Sequence, residues 1–241
     1  MVNQSKYSRA QTTRRLKSTR AMTLTKTLSA FGVAAALLLT GFVAPAQAAT
    51  VYKAPLRTAV RALSVLPENN AGYDRTRYFG DWKDANGDCQ NTRHEVLIHE
   101  TKAAPTYSSR LCTVTRGKWV TTWDNRIHTS PTTVQIDHTV PVAEAWGSGA
   151  RSWTQARRVA FYNDLGDGRT LSTQTSALNA SKQASGPEAW LPPAKAYRCT
   201  YIAEWVAVKI RWGLRVDSAE KAQLTRWANA CPNITLTVTK V

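Results

Sequence analysis

Two short segments constrain this chain more than any property of the whole. In Thr133-Val-Gln-Ile-Asp-His-Thr-Val-Pro-Val142, Val134 and Ile136 alternate with Thr133 and Gln135, the period-two pattern of a strand with one face buried. The strand ends on Asp137 and His138 side by side, with Pro141 in the loop that follows. Downstream, Leu171-Ser-Thr-Gln-Thr-Ser-Ala-Leu-Asn-Ala-Ser-Lys182 reads as a second short strand running into a helix that carries Asn179 and Lys182 on one face. Together the segments predict a strand, strand, helix unit over about residues 133–185 of an α+β fold.

The residue types in that unit suit phosphodiester chemistry. A divalent ion takes hard oxygen ligands, and an attacking water needs a base that titrates near neutral pH. Asp137 and Asn179 are the candidate ligands, His138 is the candidate base, and Lys182 is a candidate cation for phosphate. The expected ion is Mg2+, with Mn2+ as the second choice. Asp137-His138 alone would carry little weight, because a histidine in such a dipeptide is commonly just hydrogen-bonded into its loop.

The order Asp137-His138, Pro141, second strand, Asn179 resembles the ββα-metal motif of HNH endonucleases. The resemblance continues through Asp81-Trp82, Asp84 to Cys89, Thr92-Arg-His-Glu-Val-Leu97, Glu144-Ala-Trp-Gly-Ser-Gly149, Trp153, Asn163-Asp-Leu165, Glu188-Ala-Trp-Leu-Pro-Pro193 and Cys199-Thr-Tyr201, and it points to the secreted HNH endonuclease-like proteins of bacteria. It implies a ββα-metal (HNH) core in a single disulfide-stapled domain with flanking helices, and metal-dependent hydrolysis of DNA, or of RNA, with low sequence specificity. The chain departs from the pattern twice. Thr170 stands where many HNH proteins carry an Asn before the second strand, which leaves Asn163 as the candidate to fix the loop, and Gln183-Ala-Ser-Gly-Pro187 replaces a small acidic turn after the helix.

The beginning of the chain lies outside that unit. Residues 1–27 carry seven basic side chains and no acid, Leu28 to Val43 is apolar, and Ala46-Gln-Ala48 offers a cleavage site after Ala48. The apolar run is at the short end of the roughly 17–25 residues a spanning helix needs, so residues 1–48 read as a signal peptide, with Met22 an alternative start. The expectation is a secreted domain of residues 49–241, with no membrane anchor after cleavage. Losing the seven charges lowers the net charge from +16 to +9, still basic enough to favour a polyanion. Nucleic acid, DNA first, is therefore the expected partner, and the alternative is a non-catalytic basic binding protein for extracellular DNA or anionic cell-wall polymer. No protein partner is implied.

Cys89, Cys112, Cys199 and Cys231 all follow the apolar run and contain no Cys-x-x-Cys pair, which favours disulfides over zinc. Of the three possible pairings, the local one, Cys89 with Cys112 and Cys199 with Cys231, is preferred. Asp84, Asn86, Asp88 and Glu95 have calcium-loop spacing, but Cys89 takes the place of the required glycine, so a stapled turn is expected. Helices are expected over Pro55–Leu66 and Gln155–Tyr162, as an amphipathic stripe from Tyr197 to Trp212, and after the capping box Asp217-Ser-Ala-Glu220. Leu111 to Trp123 reads as a hairpin turning at Arg116-Gly117, and Val96-Leu-Ile98 fits either a buried strand or a helix turn. Tyr73, Tyr78, Phe79 and Trp82 read as core anchors. Arg157 and Arg158 are either phosphate ligands or part of a solvated helix face.

Overall fold

A computed structural model describes residues 50–108 and 111–241. The expected signal peptide, residues 1–48, lies outside the described residues. The chain runs β1 (Val51–Pro55), α1 (Leu56–Ala62), α2 (Arg75–Phe79), α3 (Thr92–Glu100), β2 (Thr106–Tyr107), β3 (Val114–Arg116), β4 (Trp119–Thr121), β5 (Arg126–His128), β6 (Val134–His138) and α4 (Val142–Gly147). It continues through α5 (Gln155–Tyr162), β7 (Leu171–Thr175), α6 (Ser176–Lys182), α7 (Arg198–Trp212), α8 (Ser218–Ala230) and β8 (Thr235–Thr239). The strands form four antiparallel pairs, β1–β8, β2–β3, β4–β5 and β6–β7, each a two-stranded ribbon.

Ribbons this small do not stand alone in water, so helices must cover them. The larger apolar cluster gathers around α7, where every position from Trp205 to Trp212 is buried. The expected amphipathic stripe is thus corrected to a helix enclosed on nearly all sides, with α1, α8 and β8 packed against it. Its polar residues find partners inside. Lys209 donates to Glu144 and, at 3.1 Å, to Glu220, while Arg211 grips both oxygens of Asp164 at 2.7 and 2.8 Å. A smaller cluster, with Val96, Leu97 and Trp119 on one side and Val134, Ile136 and Leu171 on the other, joins α3 to the β6–β7 ribbon. Fully burying one such side chain is worth roughly 1.5–3 kcal/mol.

Local signals are honoured where they act locally. Asp217 caps α8 by accepting from Glu220 N at 2.7 Å, as its capping box requires. The Val96-Leu-Ile98 run is helical, because Asn91 caps α3 through His94 N. The helix expected over Pro55–Leu66 ends at Ala62, and the residues before it, unexpectedly, form β1. The Arg116-Gly117 hairpin is corrected: β3 pairs back to β2 and β4 pairs forward to β5, so the chain passes straight through Gly117. The turn falls instead at Thr122 to Asn125, where Asn125 adopts a left-handed φ of 56° that asparagine tolerates better than most residues.

The cysteines pair locally, Cys89 with Cys112 and Cys199 with Cys231, at Cα separations of 5.0 and 5.5 Å. The segment before Cys89 is a turn closed on itself: the Asp84 carboxylate accepts from Gly87 N and Cys89 N, both at 2.8 Å. Each bridge is worth about 2–4 kcal/mol to a domain of this size.

Candidate active site

Strand periodicity decides which way each residue at the end of β6 faces. Side chains two apart share a face, so Val134, Ile136 and His138 point one way and Gln135 and Asp137 the other. Helix α6 lies on the Gln135–Asp137 side. There Lys182 Nζ donates to Asp137 Oδ2 at 2.8 Å and to the backbone carbonyl of His138 at 2.8 Å, and Asn179 Nδ2 donates to Gln135 Oε1 at 2.5 Å. Lys182 has no exposed surface, and its ammonium lies 5.2 Å from the Trp123 ring centroid. The expectation that Lys182 presents its charge to phosphate is therefore corrected: its cation is spent on Asp137 and on the strand end. Burial pushes the Asp137 carboxyl up against the pull of Lys182, and pushes the Lys182 ammonium down against the pull of Asp137.

His138 enters an aromatic enclosure on the opposite face. Its ring stacks on Trp82 with centroids 5.4 Å apart and planes 7° from parallel, and Phe161 and Tyr162 lie at 5.9 and 4.8 Å. Nε2 lies 2.9 Å from the Tyr162 carbonyl oxygen, an acceptor, so this nitrogen carries the proton of the neutral ring and Nδ1 keeps the lone pair. Burial lowers the imidazole to about pKa 3, with help from the Arg75 and Lys182 cations and against the Tyr162 carbonyl. His138 is thus neutral at physiological pH, in the form that accepts a proton.

The remaining candidates separate clearly. Asn163 ties the loop at residues 81–83 to the end of α5: its Oδ1 accepts from Lys83 N at 2.8 Å, while Nδ2 donates to Val159 O and Asp81 O at 3.0 and 3.3 Å. Thr170 ties the other side of the site, its carbonyl accepting from Thr139 N at 2.9 Å and its hydroxyl donating to Asp164 at 2.9 Å. Arg157 and Arg158 are corrected from both readings, since neither is turned to a phosphate nor freely solvated. Arg158 is buried and donates to Trp153 O at 2.5 Å, and Arg157 bonds Trp212 O and Val241 O at 3.1 and 2.9 Å between the Trp153 and Trp212 rings.

Sequence reasoning missed Gln135, Trp82 as the cover of His138, Tyr162 and Arg75. Gln135 was legible, because it stands two residues before Asp137 on a period-two strand. Arg75 was not, being far from the motif in sequence. It bonds the Tyr162 hydroxyl at 2.9 Å and acts electrostatically on both Asp137 and His138.

Residues 75–227 match the family described as GmrSD restriction endonucleases, C-terminal domain. This span holds α2 through most of α8, with every residue of the site, and the chain belongs to that family. A relative from the fungus Arthroderma benhamiae, described as an uncharacterized secreted protein, is 38% identical over 176 residues, covering 73% of this chain and 84% of its own. Relatives are thus not confined to bacteria. No solved structure matches the chain.

Proposed function

We propose that this protein is a secreted, metal-dependent endonuclease of the HNH type that hydrolyses phosphodiester bonds of DNA, and of RNA in second place, with little sequence preference. The observation that carries the reading is the end of β6, where a buried carboxylate and a neutral imidazole with a fixed tautomer face opposite sides of one strand end, capped by a helix bearing Asn179. The family's description as restriction endonucleases supports the substrate class. Export is supported by the two disulfides and by the relative's description as secreted.

His138 Nδ1 takes the proton of the attacking water, and the Tyr162 carbonyl stabilises the imidazolium that forms. Burial is the main cause of the low basicity of His138, and a bound phosphate would offset only the smaller part that comes from the Arg75 and Lys182 cations. Asp137 and Asn179 provide hard oxygens of the kind that magnesium or manganese takes. Two observations support that pair: the hydrogen bond to Gln135 uses only the amide nitrogen of Asn179, and the bond from Lys182 uses one Asp137 oxygen. When bound, the ion supplies charge neutralisation at phosphate and leaving oxygen. Lys182 holds Asp137 and the strand end in place.

The test is plasmid cleavage by the oxidised protein with magnesium, with manganese and with EDTA, beside a His138→Ala protein checked for folding. The expected result is metal-dependent cutting that leaves 5′-phosphate ends and falls by roughly two or more orders of magnitude in the variant. A non-catalytic DNA-binding reading has one observation in its favour, the engagement of Asp137 by Lys182. Intact plasmid with every metal, despite folding and salt-sensitive DNA binding, selects that reading instead.

A further inference from the structure

We infer that Arg75 is a substrate-contacting residue, a guanidinium set by the Tyr162 hydroxyl to grip a phosphate oxygen beside the His138 imidazole. The inference rests on the nuclease reading and adds to it a group outside the strand, strand, helix unit.

Tyr162 is the hinge of the argument. Its backbone oxygen holds His138 Nε2 at 2.9 Å and its hydroxyl accepts from Arg75 Nη2 at 2.9 Å, so one residue positions both groups. The His138 ring centroid lies 4.8 Å from the Tyr162 ring centroid, and the guanidinium carbon of Arg75 lies 5.3 Å from it. Asp74 caps α2 through Arg77 N at 2.9 Å, which fixes Arg75 at the first helical position. Gly80, with a φ of 74°, ends the helix and lets the chain return Trp82 to the His138 ring. The short stretch 74–82 therefore delivers both the cover of the imidazole and a cation on the same tyrosine.

Other arginines near the site spend their guanidinium groups on protein oxygens. Arg93 bonds the carbonyls of Pro131 and Val134, Arg158 those around Trp153, and Arg211 the Asp164 carboxylate. Arg75 differs. Among the described residues its guanidinium makes one hydrogen bond, to a neutral hydroxyl, and forms no ion pair, and the residue is exposed. A cation of an exposed residue, held by a neutral partner that also contacts the candidate base, matches what an anionic substrate needs: planar donors suited to two phosphate oxygens and no carboxylate to compete for them. The bland reading, a cation resting on an aromatic face, requires no particular orientation toward His138.

The experiment uses the oxidised protein and a fluorescein-labelled DNA duplex, with cleavage followed in magnesium and binding followed by anisotropy in EDTA, each across a range of sodium chloride. Arg75→Ala is expected to lower kcat/KM on the order of tenfold or more and to reduce the slope of log affinity against log salt by about 0.9, the signature of one lost phosphate contact. Arg75→Lys is expected to restore the salt slope but only part of the rate, since an ammonium lacks the planar fork. Tyr162→Phe, which deletes only the hydroxyl, should lower kcat/KM with the salt slope retained, and Arg126→Ala, a change at an exposed arginine, should alter nothing. Wild-type kinetics and salt slope in Arg75→Ala overturn the inference while leaving the nuclease reading intact. A wild-type protein that binds duplex but never cuts it sinks the nuclease reading, and the salt slope in EDTA then decides Arg75 alone. Should Arg75→Ala fail to fold, Arg75→Lys and Tyr162→Phe carry the decision: wild-type rates in both overturn the inference.

Discussion

Lys182 shows how a single buried cation can be given over to structure at the candidate site. Its ammonium, with no exposed surface, donates to Asp137 and to the carbonyl of His138 from within the core. Removing one member of a buried ion pair strands the other, so Lys182→Met is expected to cost about 3–5 kcal/mol, read as a shift in the urea midpoint. The double variant Lys182→Met/Asp137→Asn should recover much of that loss. Equal instability of the two proteins would mean that Lys182 matters by its packing rather than by its charge. The sequence showed that Asp137, His138, Asn179 and Lys182 would come together around one short ribbon, because strand and helix periods are local. It could not show which side chains the core would claim. Lys182 points inward because α6 is pressed onto Trp123, and Arg158 is buried beneath Tyr78 and Trp146, contacts made by residues remote in the chain.

At the scale of elements, signals confined to a few residues were readable and partner choices were not. The capping box of α8 and the span of α5 depend on neighbours in sequence and stand where their residues place them. The segment around Gly117 failed as a hairpin because its two halves find different partners, β2 before it and β5 after it. The true turn makes a prediction of its own. Asn125 holds a left-handed φ of 56°, so Asn125→Ala is expected to lose about 1 kcal/mol and Asn125→Gly to lose less or to gain, as read from thermal unfolding. Equal losses from both substitutions would point to the asparagine side chain instead of its backbone.

Across the whole molecule the buried charges around α7 couple stability to pH. Lys209 binds Glu144 and Glu220, and Trp205 Nε1 donates to Glu220 at 2.5 Å. Contact with Glu144, together with burial, raises Glu68 to about 8, and burial raises Glu220 to about 7, both from an ordinary value of 4.5. The folded protein therefore holds protons that the unfolded chain has released by pH 5 to 6. The stability these groups contribute is fully present below about pH 4.5 and is lost as pH rises through 7 and 8. The expected result is a Tm that declines between pH 6 and 9, with the upper part of the decline flattened by Glu68→Gln. A flat wild-type profile over that range would mean that the carboxylates ionise in the fold at no cost.

The pairing of β1 with β8 has a further consequence, for the order of events when the protein is made. Val51 lies opposite Thr239, so the first strand of the fold waits for the strand that follows every other element described. A polypeptide that emerges amino end first, from a ribosome or through an export channel, can close Cys89–Cys112 early and build β6, β7 and α6 on the way. Until β8 follows, however, β1 has an open edge and α7 lacks one of its covers. Closure of the β1–β8 ribbon therefore comes after every element between its two strands has been made, and the fold is clasped last where it begins.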